Sequence, residues 1–133
     1  MTGAVADTHA LIWYLLDSPR LSAPALAQFE ACRAAGARVG VSSISIVEII
    51  YLAEKGRIPS TTLPLLVKGL SEPPTLVEIV PLSEAIALAV QQVPREQVSD
   101  LPDRIIAATA LHLGVPLITR DKKIALSIVE TVW

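Results

Sequence analysis

The sequence predicts an α/β sandwich built around a short, mostly parallel sheet. Three observations carry this. Short apolar runs alternate along the chain with longer segments of helical periodicity. Ala, Leu, Ile and Val dominate the apolar content, while aromatic residues make up only 4%, as suits strands covered by helices. Gly36, Gly56 and Gly114 each stand where a helical pattern stops.

Taken in order, Ala4-Val5-Ala6 is a strand candidate that stops at Asp7, and a helical pattern then runs through Leu16 to Ser18-Pro19. Pro24 to Ala35 reads as a second helix. Val39-Gly40-Val41 is a short strand, and Ser42 or Ser43 caps a helix that runs to about Lys55. Leu63 to Leu70 is a short helix, Thr75 to Val80 a strand, and Ser83 to Gln92 a helix opening with Ser-Glu. Pro94 to Leu101 reads as loop. Pro102 to Leu113 is a helix, Val115 to Thr119 a strand, Arg120-Asp121 a turn, and Glu130 to Trp133 a last short strand. No repeat, linker or low-complexity segment interrupts the chain, so one domain over 1–133 is expected.

Composition narrows the function. Apolar residues reach 52% and charged residues only 18% of 133, which supports a real core and excludes disorder. The longest stretch free of Asp, Glu, Lys and Arg, Ile105 to Thr119, is broken by Gly114 and Pro116 and is too short to cross a bilayer. No basic-then-apolar leader opens the chain. A lone cysteine, Cys32, excludes an intrachain disulfide and reads as a small buried hydrophobe. A cytoplasmic protein without membrane contact is expected. The net charge of −2 and the lack of a basic block argue against holding nucleic acid by phosphate neutralisation alone, but leave room for a nuclease that reaches phosphate through bound metal.

In open parallel sheets, ligands gather outside the carboxyl ends of the strands. Asp7 follows the first strand there, Asp121 follows the Val115–Thr119 strand, and Asp103 opens the helix before it. Each of the three can equally cap a helix or make a turn. Glu48 is harder to assign to such duty. Its helical neighbours are Ile44, Tyr51 and Leu52, and Val47 and Ile49 flank it. A carboxylate among them needs a pair, a proton or a cation. The competing assignment is a capping box over Ser45-Ile46-Val47-Glu48, which requires the helix to begin at Ser45. Together the four acids suit a hard divalent ion, which takes oxygen ligands, offsets their mutual repulsion, and can activate water against a phosphodiester.

Four segments, in order, resemble the PIN-domain ribonucleases, and most nearly the VapC toxins of type II toxin–antitoxin modules. They are Val5-Ala6-Asp7-Thr8-His9-Ala10-Leu11-Ile12-Trp13, Ser43-Ile44-Ser45-Ile46-Val47-Glu48-Ile49, Asp103-Arg104-Ile105-Ile106-Ala107-Ala108-Thr109-Ala110 and Leu117-Ile118-Thr119-Arg120-Asp121. Glu130-Thr131-Val132-Trp133 fits one VapC branch. The resemblance covers essentially the whole chain. It implies a three-layer α/β/α sandwich and an endoribonuclease dependent on one or two Mg²⁺ or Mn²⁺ ions, which cuts RNA with a metal-activated water and leaves a 5′-phosphate and a 3′-hydroxyl. Asp7, Glu48, Asp103 and Asp121 fall on the family's catalytic and metal-binding acids, and Thr119 on a hydroxyl residue that lines the site. It also implies a homodimer and a VapB-type antitoxin whose C-terminal segment covers the groove.

Where the family commonly has Asp-Pro-Ala-Asp-Arg, this chain has Asp100-Leu101-Pro102-Asp103-Arg104. The shifted proline makes Asp100 a peripheral candidate and a loop residue. Arg104 and Arg120 adjoin the acids and are expected either to pair with them or to touch RNA phosphate. His9 reads as a helix-surface or packing residue, Trp13 and Tyr14 as core or interface, and Lys122-Lys123 as a solvated turn. Two rival functions remain at this stage: a non-catalytic protein-binding module, and an aspartate phosphoryl-transfer domain, which the lack of a clear Lys partner disfavours.

Overall fold

A computed structural model of the chain describes residues 1–124 and 129–133. Five strands form one sheet in the order β3-β2-β1-β4-β5, and all four neighbouring pairs are parallel. The strands are β1 (Thr2–Ala6), β2 (Arg38–Ser42), β3 (Val77–Val80), β4 (Leu117–Ile118) and β5 (Thr131–Val132). The helices are α1 (Thr8–Leu15), α2 (Ala23–Ala34), α3 (Ser43–Glu54), α4 (Thr62–Ser71), α5 (Glu84–Ala89) and α6 (Leu101–Leu113).

Side-chain alternation along the strands divides the core in two. Ala4 and Ala6 of β1, Val39 and Val41 of β2, and Ile118 of β4 face a layer that contains Leu11, Phe29, Ile49 and Leu66 from α1, α2, α3 and α4. Val5 of β1 and Leu117 of β4 face the opposite layer, with Ile86 of α5 and Ile106 of α6. The helices thus cover both faces of the sheet, giving three layers. Gly40 lies between Val5 and Val80, where a Cβ would come within 2.9 Å of Val80 Cγ2. The missing side chain leaves room for the Val5 and Val80 side chains of the flanking strands.

Several boundaries differ from the sequence expectation. The Val115–Thr119 strand is reduced to Leu117–Ile118, because Pro116 has no N–H for a ladder and Thr119 turns to support an acid. The Ser83–Gln92 helix gives way to a 3₁₀ turn at Val90–Gln92. The last long helix begins one residue earlier than expected, with Asp100 as its cap. No helix among the described residues is long and apolar enough to cross a membrane.

Candidate active site

β1 and β4 run side by side, with Val5 opposite Leu117 and Ala6 opposite Ile118. Their carboxyl ends therefore deliver Asp7 and Thr119 to the same place. Asp7 caps α1: its Oδ1 accepts from the Ala10 N–H at 2.8 Å, and its Oδ2 accepts from Thr119 Oγ1 at 2.5 Å. Thr119 in turn accepts from the Asp121 N–H at 3.0 Å, and Asp121 Oδ1 accepts from the Lys123 N–H at 2.9 Å. One buried hydroxyl thus joins two candidate acids.

Glu48 enters from the other side. Ser42 caps α3 and accepts from the Ile44 N–H, so the helix begins too early for a Ser45–Glu48 capping box. Glu48 stands in the second turn, where Thr8 Oγ1 donates to its Oε1 at 2.6 Å. Thr8 has one proton. With that proton on Glu48, Ser45 Oγ, 2.8 Å away, donates to Thr8. The buried Ser45 and Thr8 hydroxyls fix the direction of the carboxylate.

Asp103 comes from the first turn of α6. Asp100, not Asp103, caps that helix, with Oδ2 accepting from the Asp103 N–H at 3.1 Å. This frees the Asp103 carboxylate, and Asp100, expected as a peripheral loop residue, is the exposed helix cap. Burial and then the charges of Asp100, Asp7, Asp121 and Glu48 push Asp103 up to about 7. Burial also raises Asp7, against the hydrogen bond from Thr119, and raises Glu48, against that from Thr8. Asp103 is the electrostatic centre of the group, since each of the other acids disfavours its ionised form.

Two adjoining clefts share Asp7, His9 and Asp103 as walls. One, of about 280 Å³, adds Trp13, Arg120 and Asp121; the other, of about 340 Å³, adds Thr8, Glu48 and Asp100. Every acid singled out in the sequence borders one or both. The acids offer only oxygen donors, which a hard divalent ion prefers. Among the described residues no three His, Cys, Asp or Glu side chains are gathered tightly enough to hold one ion between them. The carboxylates stand around the cleft, which suits an ion that keeps several waters and binds directly to few protein groups.

The family model for the PIN domain matches residues 4–127. The chain belongs to the PIN-domain family. It is 32% identical over 126 residues to Ribonuclease VapC22 of Mycobacterium tuberculosis, covering 93% of this chain and 91% of that protein. Among solved structures, the PIN domain is similar to VapBC from Salmonella typhimurium, bound to DNA (TM-score 0.71, 21% identity, 98% of this chain and 97% of that one). It is also similar to VapBC2 from Rickettsia felis bound to a promoter DNA fragment (TM-score 0.69, 19% identity, 98% of both chains). A toxin–antitoxin complex from Klebsiella pneumoniae matches at TM-score 0.64 and 26% identity, over 98% and 97% of the chains.

The two arginines of this PIN domain part company. Arg104 reaches away from the acids and donates to the carbonyls of Val90 and Val93 at 3.0 Å, bracing the 3₁₀ turn. Its expected ion pair or phosphate contact gives way to this carbonyl clamp. Arg120 lines the cleft, with its guanidinium carbon 4.9 Å from the Trp13 ring centre. His9 borders both clefts while its ring leans on Trp13 at 5.6 Å. Tyr14 stacks on Phe29 at 4.1 Å, away from the acids. Sequence reasoning missed Thr8 and Ser45 as supports of Glu48. The signal was present: Ser45 precedes Glu48 by one helical turn, and Thr8 adjoins Asp7.

Proposed function

We propose that this PIN domain, working as one unit over 1–133, is a cytoplasmic endoribonuclease toxin that depends on Mg²⁺ or Mn²⁺ and is restrained by a VapB-type antitoxin. The observation that carries the reading is the convergence of Asp7, Glu48, Asp103 and Asp121 on the walls of one cleft system, with three of them raised by burial. The likeness to a ribonuclease and to toxin–antitoxin complexes supports RNA as substrate and an antitoxin as partner. Exposed Val47, Ile50 and Tyr51 on α3 are apolar surface suited to a second copy in a homodimer.

Asp7, Glu48, Asp103 and Asp121 would hold one or two divalent ions. A bound ion would stabilise charge gathering on the scissile phosphate and lower the pKa of the attacking water. The chain's residues prepare this. The Ala10 N–H and Thr119 hydroxyl hold both Asp7 oxygens in place. Thr8 and Ser45 aim Glu48. Asp103, pushed up to about 7, is part-protonated near neutrality and would give up that proton if positive charge entered the cleft. No side-chain nucleophile is required.

The test is cleavage of total RNA by purified protein. Wild type cuts with Mg²⁺ or Mn²⁺ and stops with chelator, and Asp7→Asn loses about 10²-fold or more in rate. Equal cutting in chelator, or full activity of Asp7→Asn, defeats the reading.

A further inference from the structure

We infer that Arg120, held over the Trp13 ring, is the residue that seats an RNA phosphate in the cleft, and that Trp133 holds it in position by packing against Trp13. This rests on the nuclease reading and specifies how its substrate is gripped. Three observations lead to it.

The first is charge. The two adjoining clefts are lined by five carboxylates, Asp7, Glu48, Asp100, Asp103 and Asp121. A phosphodiester chain entering there meets like charge, and divalent ions offset only part of it. Among the described lining residues, Arg120 is the sole guanidinium or ammonium. Arg104 is already engaged by carbonyls.

The second is availability. No hydrogen bond or ion pair among the described residues uses the Arg120 guanidinium, although Asp121 is its neighbour in sequence. Among the described residues its side chain has one cation–π contact, with the Trp13 ring. Cation–π contact engages the flat face of a guanidinium, while its N–H donors lie in the plane and point outward from the edge. With no hydrogen-bond or ion-pair partner among the described residues, the Arg120 guanidinium has N–H donors to offer a phosphate.

The third is support. Trp13 is almost fully buried, at 7% exposure, so it is a fixed platform rather than a surface flap. Two rings pack against it: His9 at 5.6 Å between ring centres, and Trp133 at 5.7 Å with an interplanar angle of 59°. Trp133 follows β5, the strand paired with β4, whose end carries Thr119 and Arg120. The edge of the sheet therefore sets the position of the platform, and the platform sets the fork. Lys122 and Lys123 are exposed beyond it and border neither cleft.

The experiment measures equilibrium binding of a fluorescein-labelled single-stranded RNA of randomised sequence, in chelator so that the RNA stays intact, across a salt series. Arg120→Gln is expected to weaken binding about tenfold at low salt. It also lowers the slope of log affinity against log salt by about 0.7, the share of one phosphate contact. Arg120→Lys keeps the slope but recovers only part of the affinity, because an ammonium has no planar fork to lay on the ring. Trp133→Leu weakens binding about threefold, and the double variant Arg120→Gln with Trp133→Leu binds no worse than Arg120→Gln alone. Trp133→Phe, which retains a ring, is the control if Trp133→Leu lowers Tm.

If Arg120→Gln matches wild type in affinity and slope, or wild type does not bind the RNA at low salt, the phosphate seat is overturned. Additive losses in the double variant overturn the role of Trp133. These outcomes are independent of cleavage. Should Asp7→Asn cut RNA at the wild-type rate, the reading of the acids as the nuclease centre fails while the binding result stands.

Discussion

Thr8 shows how little freedom one side chain has in this site. Its single proton goes to Glu48, its oxygen accepts from Ser45, and its backbone lies one residue past Asp7. Thr8→Val keeps the shape and removes the hydroxyl. Glu48 then loses the one hydrogen bond that opposes its upward shift, so its carboxyl moves higher still. Ser45 is left with an unmet partner in a buried position. The expected outcome is a loss of about tenfold or more in Mn²⁺ affinity, the usual cost of removing a group that orients a metal ligand. Calorimetric titration of Mn²⁺ checks it. Unchanged affinity would mean that Glu48 is aimed by packing alone. Burial leads the rise of Asp103 as it does that of Glu48, but among the described residues no hydrogen-bond donor opposes it, and four other acids add to it.

At the scale of an element, the start of α6 separates two jobs that the sequence leaves entangled. Asp100 takes the cap, so Asp103 is free to face the cleft. Asp100→Ala removes the cap and is expected to cost about 1 kcal/mol of stability in thermal unfolding. Asp100→Asn keeps a capping oxygen and removes only the charge. It should leave Tm nearly unchanged while lowering the Asp103 pKa, since Asp100 is the foremost of the charges that raise it. NMR titration of the Asp103 carboxyl reads the shift. An unmoved pKa with Asn at position 100 would remove Asp100 from the causes and leave burial with the charges of Asp7, Asp121 and Glu48. The element also shows what the sequence made legible. Helical register placed Asp103 at an entrance and Glu48 among apolar neighbours, and both positions are local properties of the chain. The capping box at Ser45 failed because Ser42, one turn earlier, takes the cap by accepting from the Ile44 N–H, while Ser43, the first helical residue, accepts from the Leu82 N–H. The carbonyl clamp of Arg104 was not legible at all, because it depends on where a 3₁₀ turn distant in sequence comes to rest.

Across the whole molecule, parallel pairing of β1 with β4 is what makes residues 7 and 119 neighbours, and the acids therefore form a unit only in the folded chain. This ties stability to pH and to ions. In the fold Asp103 is held at about 7, against 3.8 for an ordinary carboxyl. The folded chain therefore binds more protons than the unfolded chain between those values, and stability falls as pH rises through that window. Asp7 and Glu48, also raised, act with the same sign. In chelator, Asp103→Asn should remove the Asp103 share of this decline. Its Tm should exceed that of wild type at neutral pH by an amount corresponding to about 1–2 kcal/mol, a value reduced for the half-exposed position of the carboxyl, and converge with wild type in acid. Adding Mn²⁺ reverses the order. An ion that binds only the folded chain stabilises it by about 2.7 kcal/mol at a hundredfold excess over Kd. On the proposed role of Asp103 as a ligand, wild type gains this, and Asp103→Asn, with a neutral amide in place of the carboxylate, gains less. Thermal melts at several pH values, with chelator and with Mn²⁺, test both halves. If Asp103→Asn parallels wild type across the acid-to-neutral range in chelator, the carboxyl is not strained by its neighbours. If both proteins gain equally from Mn²⁺, Asp103 does not hold the ion.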